Sequence, residues 1–347
     1  MSYHLSLTGA NGVSDIYIET GLLGRAASLC GEAFTPSRVH IVTDSTVAPL
    51  YLEALASQFS LPVSHTVIPA GEEHKRLATV ETIYHDLLAA GMTRGDLIIA
   101  LGGGVTGDIT GFAAATFLRG VPLCQIPTTL LAQVDSSVGG KTGVDLPEGK
   151  NLAGAFYQPR LVLIDPAVLQ TLPEKTLADG MAEVVKYGYI ANPAILEMAA
   201  QPDYQNQIEA LIYECVKIKR DVVAIDEHDT GLRMILNFGH TIGHAAEKLG
   251  HYVDLTHGQA VAIGMVAAMR LSAAMGNEDL SAPLIRLLTQ LGLPSELRYD
   301  REAVYGALLS DKKKFGGTVN FILVREPGRA EITPIAAETL HDYILKL

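Results

Sequence analysis

The chain has 347 residues, 48% of them hydrophobic, and a formal net charge of -12. This length and composition predict about two globular domains with a large core, and exclude a disordered or repeat protein. The acidic balance argues against nonspecific nucleic-acid binding, which needs Lys and Arg to neutralise phosphates. The longest apolar stretch, residues 260–269, is about half of a bilayer span, and no secretory signal is evident at the N terminus. We therefore expect no membrane segment.

The N-terminal half shows alternating strand and helix patterns. β-branched and apolar runs predict strands at 39–44, 63–68 and 96–101, with helices at about 47–59, 79–90 and up to 117. Such alternation is typical of a Rossmann-like, mostly parallel sheet that binds ligands at the carboxyl ends of its strands. We expect this α/β domain to occupy residues 1–172.

A glycine-rich turn follows the third predicted strand. Gly102, Gly104 and Gly107 satisfy G-x-G-x-x-G before a predicted helix, where backbone N–H groups can approach a pyrophosphate. The turn is not the first βα turn and no acidic residue follows about 20 positions later, so standard Rossmann order is not met. Asp44 ends an earlier strand and can accept hydrogen bonds from a ribose. A turn required only for tight packing is the alternative.

The segment 127–151 is polar and glycine-rich within an apolar chain. Gly139 and Gly140 free the backbone to wrap around an anion, while Lys141 and Lys150 supply positive charge. It is not a Walker A loop, because Ser136 stands where the first glycine would fall. In an acidic chain, cations gathered at such segments indicate binding of a small phosphate ester or carboxylate.

The C-terminal half changes to helical periodicity. Helices are expected at 174–190, 208–226, 241–249, 258–275 and 282–291, which predicts an all-helical domain over residues 173–347. The three cysteines are widely separated and lie among apolar residues, which fits reduced thiols and a cytoplasmic location.

Three histidines in this half lie close together in sequence. His240 and His244 share one helix face at i and i+4, and His257 follows. Glu183 lies on a helix with apolar neighbours, so it can face inward. One Glu with His240 and His257 would form a His₂Glu site of the catalytic zinc type. The alternatives are ordinary histidines and a surface ion pair between Glu183 and Lys186.

Nine segments together resemble the 3-dehydroquinate synthase family, in family order over nearly the whole chain. They are GGGVTGD (102–108), FLRG (117–120), PTT (127–129), DSSVGGKT (135–142), GKNL (149–152), GMAEVVK (180–186), LNFGHTIGH (236–244), LTHG (255–258) and DKK (311–313).

The resemblance implies an enzyme of the shikimate pathway, and hence of aromatic amino acid biosynthesis. It would convert 3-deoxy-D-arabino-heptulosonate 7-phosphate, a small sugar-acid phosphate, into 3-dehydroquinate and phosphate. NAD and one divalent metal, zinc or alternatively cobalt, would be required. NAD would be reduced and then regenerated, with phosphate elimination in between and an aldol ring closure at the end. There would be no net redox change.

Family positions carry over onto this chain residue by residue. The metal would be bound by Glu183, His240 and His257. NAD would be bound by Asp44, Glu72, Lys75, Gly103, Gly104, Asp108, Thr128, Thr129 and Lys150. The substrate would be bound by Arg119, Asp135, Lys141, Asn151, Lys186, Lys219, Arg233, Asn237, His244 and one lysine of the 312–313 pair, assigned as Lys313. The catalytic residues would be His244, Asp229 and Lys141. Arg119 matches the family arginine that reaches a neighbouring subunit, which implies a homodimer.

One position departs from the family. Asp229 stands where the family has a catalytic Glu, which predicts weaker catalysis or a specialised relative. Three other functions stay open: a metal- and NAD-dependent polyol or glycerol-phosphate dehydrogenase, a sister sugar phosphate cyclase whose substrate lacks a carboxylate, and a noncatalytic binding protein. The dehydrogenase would release NADH stoichiometrically and would not need the anion-binding residues.

Overall fold

The computed structural model describes residues 2–10, 12–312 and 317–347, with side chains omitted for 310–312. Two compact units divide the chain: Met1–Leu172 with Lys219–His228, and Pro173–Ile218 with Asp229–Leu347. The first unit contains the strands β1 (Tyr3–Gly9), β2 (Gly12–Ile18), β3 (Val39–Asp44), β4 (Val63–Ile68), β5 (Leu97–Gly102), β6 (Leu123–Pro127), β7 (Lys141–Leu146), β8 (Gly149–Phe156) and β9 (Leu161–Ile164). Its helices are α1 (Ala26–Ala33), α2 (Glu53–Ala56), α3 (Leu77–Ala89) and α4 (Gly104–Thr116).

Seven of these strands form one sheet in the order β1-β2-β9-β6-β5-β3-β4. Only the β1–β2 pair is antiparallel, and β7 with β8 forms a separate antiparallel hairpin. Every residue of β3 and β5 is buried, because helices cover both faces of a parallel sheet. Along β5, Ile99 and Leu101 pack into one apolar cluster, and Ile98 and Ala100 pack into the other. The alternating orientation of strand residues therefore builds a core on each face.

The three predicted N-terminal strands are confirmed, and α3 and α4 lie close to their expected positions. The expected helix at 47–59 is shorter: a π-helical turn at Ala48–Leu52 precedes α2. Pro49 lies in the first turn of this segment, where its missing N–H is tolerated.

The second unit is mainly helical. Its helices are α5 (Glu174–Ile190), α6 (Ala194–Ala199), α7 (Ile208–Ile225), α8 (His240–Leu249), α9 (His257–Ala274), α10 (Ser281–Gln290), α11 (Arg301–Lys312) and α12 (Ala337–Ile344). The last turns of α7, from Lys219 onward, group with the first unit. Five of these helices were predicted, with bounds that differ by one residue at most.

The predicted fold class, a mostly parallel sheet followed by a helical part, is confirmed. The structure adds a β-hairpin near the C-terminal end of the second unit. Strands β10 (Thr318–Glu326) and β11 (Arg329–Ala336) form an antiparallel hairpin, so the second unit is not all-helical. Val319, Phe321 and Leu323 alternate along β10 and pack into the core that Ile242 and Ile263 share. Apolar residues at every second position predict a strand, and Pro327-Gly328 predicts a turn after it. The prediction of an all-helical domain overlooked both signals.

None of the helices in the described part of the chain combines the length and the apolarity that a transmembrane segment requires.

Candidate functional site

In the first unit, Asp44 stands at the carboxyl end of β3 and is held in one orientation. Its Oδ1 accepts hydrogen bonds from the backbone N–H groups of Thr46 (2.9 Å) and Val47 (3.1 Å). Its Oδ2 accepts from Thr106 Oγ1 at 3.0 Å, in the first turn of α4. The carboxylate thus lies beside the glycine-rich turn, as parallel strands with adjacent carboxyl ends require.

The glycine-rich turn connects β5 to α4, and the turn after β6 lies against it. Thr128 N donates to the Gly102 carbonyl at 2.9 Å. A Cβ added to Gly103 would lie 3.1 Å from Thr129 Cγ2, and one on Gly104 would lie 3.0 Å from Ser136 Oγ. Five predicted cofactor residues are therefore brought together at one edge of the sheet: Asp44, Gly103, Gly104, Thr128 and Thr129. Glycine at 103 and 104 lets the start of α4 pack closely against Thr129 and Ser136.

A buried lysine joins two further predicted residues. Lys75 Nζ donates to Asp108 Oδ2 and to Asn151 Oδ1, each at 2.6 Å. Burial alone would lower the pKa of Lys75, but Asp108 and Glu72 outweigh burial and raise it. The ammonium therefore stays charged at neutral pH. The nearby Lys150 Nζ lies 3.7 Å from Glu72 Oε1. Each of the predicted cofactor residues Glu72, Lys75, Asp108 and Lys150 therefore has a charged or amide partner.

The predicted substrate residues of the first unit fall into two groups. Lys219 is buried, donates to the Asp135 carbonyl oxygen at 2.6 Å and also contacts the Asp135 carboxylate. Lys141 and Arg119 are exposed. Arg119 lies in an unusual turn, since Leu118 and Arg119 have φ values of 50° and 67°.

The second unit contains the candidate metal centre. Glu183 lies in the middle of α5 with 0% side-chain exposure, His240 begins α8, and His257 begins α9. Glu183 Oε1 lies 3.5 Å from His240 Nε2 and 3.3 Å from His257 Nε2. One ligand atom from each residue lies within 4.8 Å of the other two. The three side chains that were predicted from distant segments therefore converge.

The two imidazoles of the centre differ in protonation. The Phe238 carbonyl, which can only accept, lies 3.2 Å from His240 Nδ1, so the proton is on Nδ1 and Nε2 keeps its lone pair. Burial lowers the pKa of His240 to about 3. Burial would also lower the pKa of His257, but Glu183 and Glu247 raise it to about 10. A divalent cation at the centre would give Glu183 and Glu247 the positive charge that the second proton of His257 otherwise provides. The residues therefore fit a catalytic zinc-type site.

The alternative of a surface ion pair is wrong. Lys186 does contact Glu183 at i+3, but Lys186 is 1% exposed and Glu183 is 0% exposed. Taking both charges out of water is costly, and such pairs are typical of functional sites rather than of a solvated helix face.

His244 lies beside the centre but outside the ligand trio. Its ring centroid is 5.3 Å from that of His240 and 6.1 Å from that of His257. Its side chain is 52% exposed, so it is accessible to a reactant. The spacing of one helical turn on α8 therefore separates a buried imidazole from an accessible one.

The segment before α8 carries the remaining predicted residues. Arg233 is 2% exposed and lies in a 3₁₀ helix, Leu232–Asn237, with the half-buried Asn237 at its end. Asp229 is half-buried and has a φ of 58°. Lys313 lies outside the described residues.

Sequence reasoning missed two groups around the centre. Glu247 is buried on α8 and faces His244 and His257. Asp179 Oδ1 contacts Thr256 Oγ1 and accepts from Gln259 N at 3.2 Å, which ties α5 to the start of α9. Thr256 and Gln259 form a capping box, and its T-x-x-Q pattern was a usable signal for this helix start.

Comparisons with known proteins agree with this geometry. Residues 65–179 match the family model for the 3-dehydroquinate synthase N-terminal domain, and residues 180–314 match that for its C-terminal domain. A 3-dehydroquinate synthase from Pelobacter propionicus is 46% identical over 338 residues, 94% of each chain. One from Streptococcus pneumoniae is 43% identical over 96% of this chain and 97% of its own.

Solved structures give the same picture. A 2-deoxy-scyllo-inosose synthase complexed with carbaglucose-6-phosphate, NAD⁺ and Co²⁺ is 28% identical and covers 99% of both chains with a TM-score of 0.87. A 2-epi-5-epi-valiolone synthase from Streptomyces hygroscopicus, with NAD⁺ and Zn²⁺ bound, is also 28% identical, with a TM-score of 0.86 over 96% of both chains. A probable glycerol dehydrogenase from Sinorhizobium meliloti, 16% identical with a TM-score of 0.65 over 94% of both chains, shares the fold alone. This chain belongs to the 3-dehydroquinate synthase family.

Proposed function

We propose that this protein is a 3-dehydroquinate synthase, which converts 3-deoxy-D-arabino-heptulosonate 7-phosphate into 3-dehydroquinate and phosphate. The observation that carries the proposal is the Glu183–His240–His257 centre, which the second unit builds from three distant segments in family order. The 43–46% identity to 3-dehydroquinate synthases over nearly full length, against 28% to the sister cyclases, supports this substrate over theirs.

The cofactors of this reaction are NAD and one divalent metal. Glu183, His240 and His257 would bind the metal. When bound, the metal supplies polarisation of a substrate hydroxyl and NAD supplies a hydride acceptor that is regenerated within the same turnover. The NAD residues would be Asp44, Glu72, Lys75, Gly103, Gly104, Asp108, Thr128, Thr129 and Lys150. Their support is the cluster at the carboxyl edge of the sheet and the Lys75 hydrogen bonds.

Asp44 is oriented to accept hydrogen bonds from a ribose, because its carboxylate is already fixed by Thr46, Val47 and Thr106. The backbone N–H groups at the start of α4 would bind a pyrophosphate. Lys75 would hold Asp108 and Asn151 in place, since one ammonium donates to both side chains.

The anionic substrate requires fixed positive charge and a mobile proton. Arg233 offers a rigid guanidinium fork for carboxylate or phosphate, and its burial holds that fork in one place. His244 is accessible beside the metal centre, so it can assist the transfer of the proton that leaves as phosphate is eliminated. Substrate binding is assigned to Arg119, Asp135, Lys141, Asn151, Lys186, Lys219, Arg233, Asn237, His244 and Lys313.

Two further assignments belong to the proposal. A homodimer is proposed because Arg119 matches the family residue that serves a neighbouring copy, and it is exposed on a turn of two consecutive positive-φ residues. A cytoplasmic location is proposed because Cys30, Cys124 and Cys215 are all buried and form no disulfide.

The decisive experiment is an assay of phosphate release with purified protein and trace NAD. We expect phosphate far in excess of cofactor, together with formation of a carbocyclic product. NADH formed in an amount limited by the cofactor, without catalytic release of phosphate, would indicate a dehydrogenase. Turnover of a hexose 6-phosphate without a carboxylate would indicate a sister cyclase.

The metal assignment is tested separately by metal content. His257→Ala should lose both the bound metal and turnover, whereas His244→Ala should keep the metal and lose turnover. Metal retained by His257→Ala would mean that the ligand set is wrong.

A further inference from the structure

Glu247 is a buried carboxylate near the metal centre that none of the assignments above uses. It lies on α8, one turn after His244 and two turns after His240. Its side chain is only 3% exposed. An ionised carboxylate at such a depth is costly unless it is paired, so its partners indicate its role.

The two oxygens of Glu247 face two different imidazoles. Oε1 lies 3.6 Å from His257 Nδ1, and Oε2 lies 4.0 Å from His244 Nε2. On the other side of the His257 ring, Nε2 lies 3.3 Å from Glu183 Oε1. His257 therefore stands between two buried carboxylates, one proposed as a metal ligand and one not.

An imidazole that binds a metal through one nitrogen must carry its proton on the other. At His240 the Phe238 carbonyl performs this function, because it accepts from Nδ1 and leaves Nε2 for the centre. At His257 the corresponding group behind Nδ1 is Glu247. Such groups behind a ligand orient the ring and raise its basicity, and their loss weakens metal binding.

We propose that Glu247 is a positioning residue that holds the proton of His257 on Nδ1, so that Nε2 is presented to the metal, and that orients the accessible His244 ring. This inference rests on the metal site of the proposed function. It assigns no substrate contact to Glu247, which acts only through the two imidazoles.

Two variants separate the parts of this role. Glu247→Met removes the acceptor while keeping a similar length, and Glu247→Gln keeps a weaker, neutral acceptor. Affinities for Zn²⁺ and Co²⁺ are measured by chelator competition, and the visible spectrum of the Co²⁺ protein reports ligand geometry. We expect Glu247→Met to weaken metal binding by about 10–100-fold and to alter the spectrum. Glu247→Gln should weaken binding by several-fold. At saturating metal, both should lower kcat more than they change KM, because His244 is misoriented.

The matched control is Asp96→Asn. Asp96 is a buried carboxylate of the first unit that accepts hydrogen bonds from Ser37, Arg38 and Thr93. Its substitution should lower the Tm and leave metal affinity and the Co²⁺ spectrum unchanged.

The outcomes distinguish this inference from the proposed function. If wild-type protein binds no divalent metal, or if His257→Ala binds it normally, the metal site itself is wrong. Wild-type affinity and spectrum in Glu247→Gln and Glu247→Met would overturn the role of Glu247 alone. If Glu247→Met fails to fold, wild-type affinity in Glu247→Gln is sufficient to overturn it. Two cations per wild-type chain, one of them lost in Glu247→Gln, would also overturn it, since His244, Glu247 and His257 would then bind an ion directly.

Discussion

Asp229, which the resemblance places where the family has a catalytic Glu, has a backbone conformation that suits the shorter acid. Its φ of 58° lies in the left-handed region, which Asp and Asn adopt more readily than Glu. The sequence comparison predicted weaker catalysis from the missing methylene. The structure adds that the local chain conformation favours the shorter side chain.

Two substitutions at Asp229 separate charge from backbone fit. Asp229→Asn keeps the left-handed preference and removes the charge, so we expect kcat to fall by about 100-fold with little change in Tm. Asp229→Glu keeps the charge and should retain most of the rate, while it lowers stability by about 1 kcal/mol. Steady-state kinetics and thermal unfolding check both. A wild-type rate in Asp229→Asn would remove Asp229 from the catalytic assignments.

His40 is a buried histidine of β3 whose effect on stability depends on pH. Its Nδ1 and Nε2 lie 2.7 Å from Ser64 Oγ and 2.9 Å from Thr66 Oγ1. Burial lowers its pKa from 6.5 to about 4. Between these two pH values the unfolded chain binds the proton and the folded chain does not. Stability is therefore lost as pH falls from 6.5 towards 4, and no further loss from this group occurs below that.

The measurement compares wild type with His40→Gln. The free energy of unfolding of wild type, relative to the variant, should fall by about 2 kcal/mol between pH 7.5 and pH 5. His85→Gln is the control, because His85 has 74% side-chain exposure. A difference between wild type and His40→Gln that does not change with pH would show that the pKa of His40 is the same in the folded and the unfolded chain.

At the scale of elements, the start of α9 determines where His257 stands. A Cβ at Gly258 would overlap the carbonyl oxygen of Asp179, so α9 can begin close to α5 only with glycine at this position. Asp179 and the capping box at Thr256 hold the same helix start. Helix packing thus brings His257 to Glu183, which is part of α5.

Gly258→Ala should therefore disturb stability and metal binding together. We expect a loss of about 1–3 kcal/mol from overpacking, and weaker metal affinity because His257 is displaced with its helix. The control is Gly306→Ala on the exposed side of α11, where a Cβ meets nothing within 4 Å. That change should be neutral or stabilise by up to about 1 kcal/mol. Unfolding curves and metal titrations decide, and normal metal affinity in Gly258→Ala would contradict the coupling.

At the scale of the whole molecule, the proposed homodimer makes a prediction about mixed assemblies. If Arg119 serves the site of a neighbouring copy, Arg119→Ala and His257→Ala homodimers should both be nearly inactive. Heterodimers of the two variants would regain one intact site. After subunit exchange, an equal mixture should therefore reach about a quarter of the wild-type rate. If the two variants are shown to have exchanged subunits and the mixture gains no activity, Arg119 belongs to its own subunit's site or to no site.

Sequence patterns by themselves were enough for the elements and for the candidate residues. Hydrophobic periodicity predicted the buried strands and five helices of the second unit, because a core-facing side must repeat every 2 or about 3.6 residues. Sequence motifs predicted Glu183, His240 and His257 as metal ligands, because only a few kinds of side chain can bind a metal. The hairpin β10–β11 was equally readable and was overlooked.

Only the tertiary structure decided which of those residues share an environment. Whether Glu183 and Lys186 form a solvated pair or a buried one depends on what packs over α5, and no local pattern contains that information. Glu247 became significant for the same reason, because its two imidazole partners are brought to it by the packing of α8 against α9. Charge, burial and pKa follow from contacts between distant segments, so they are properties of the fold.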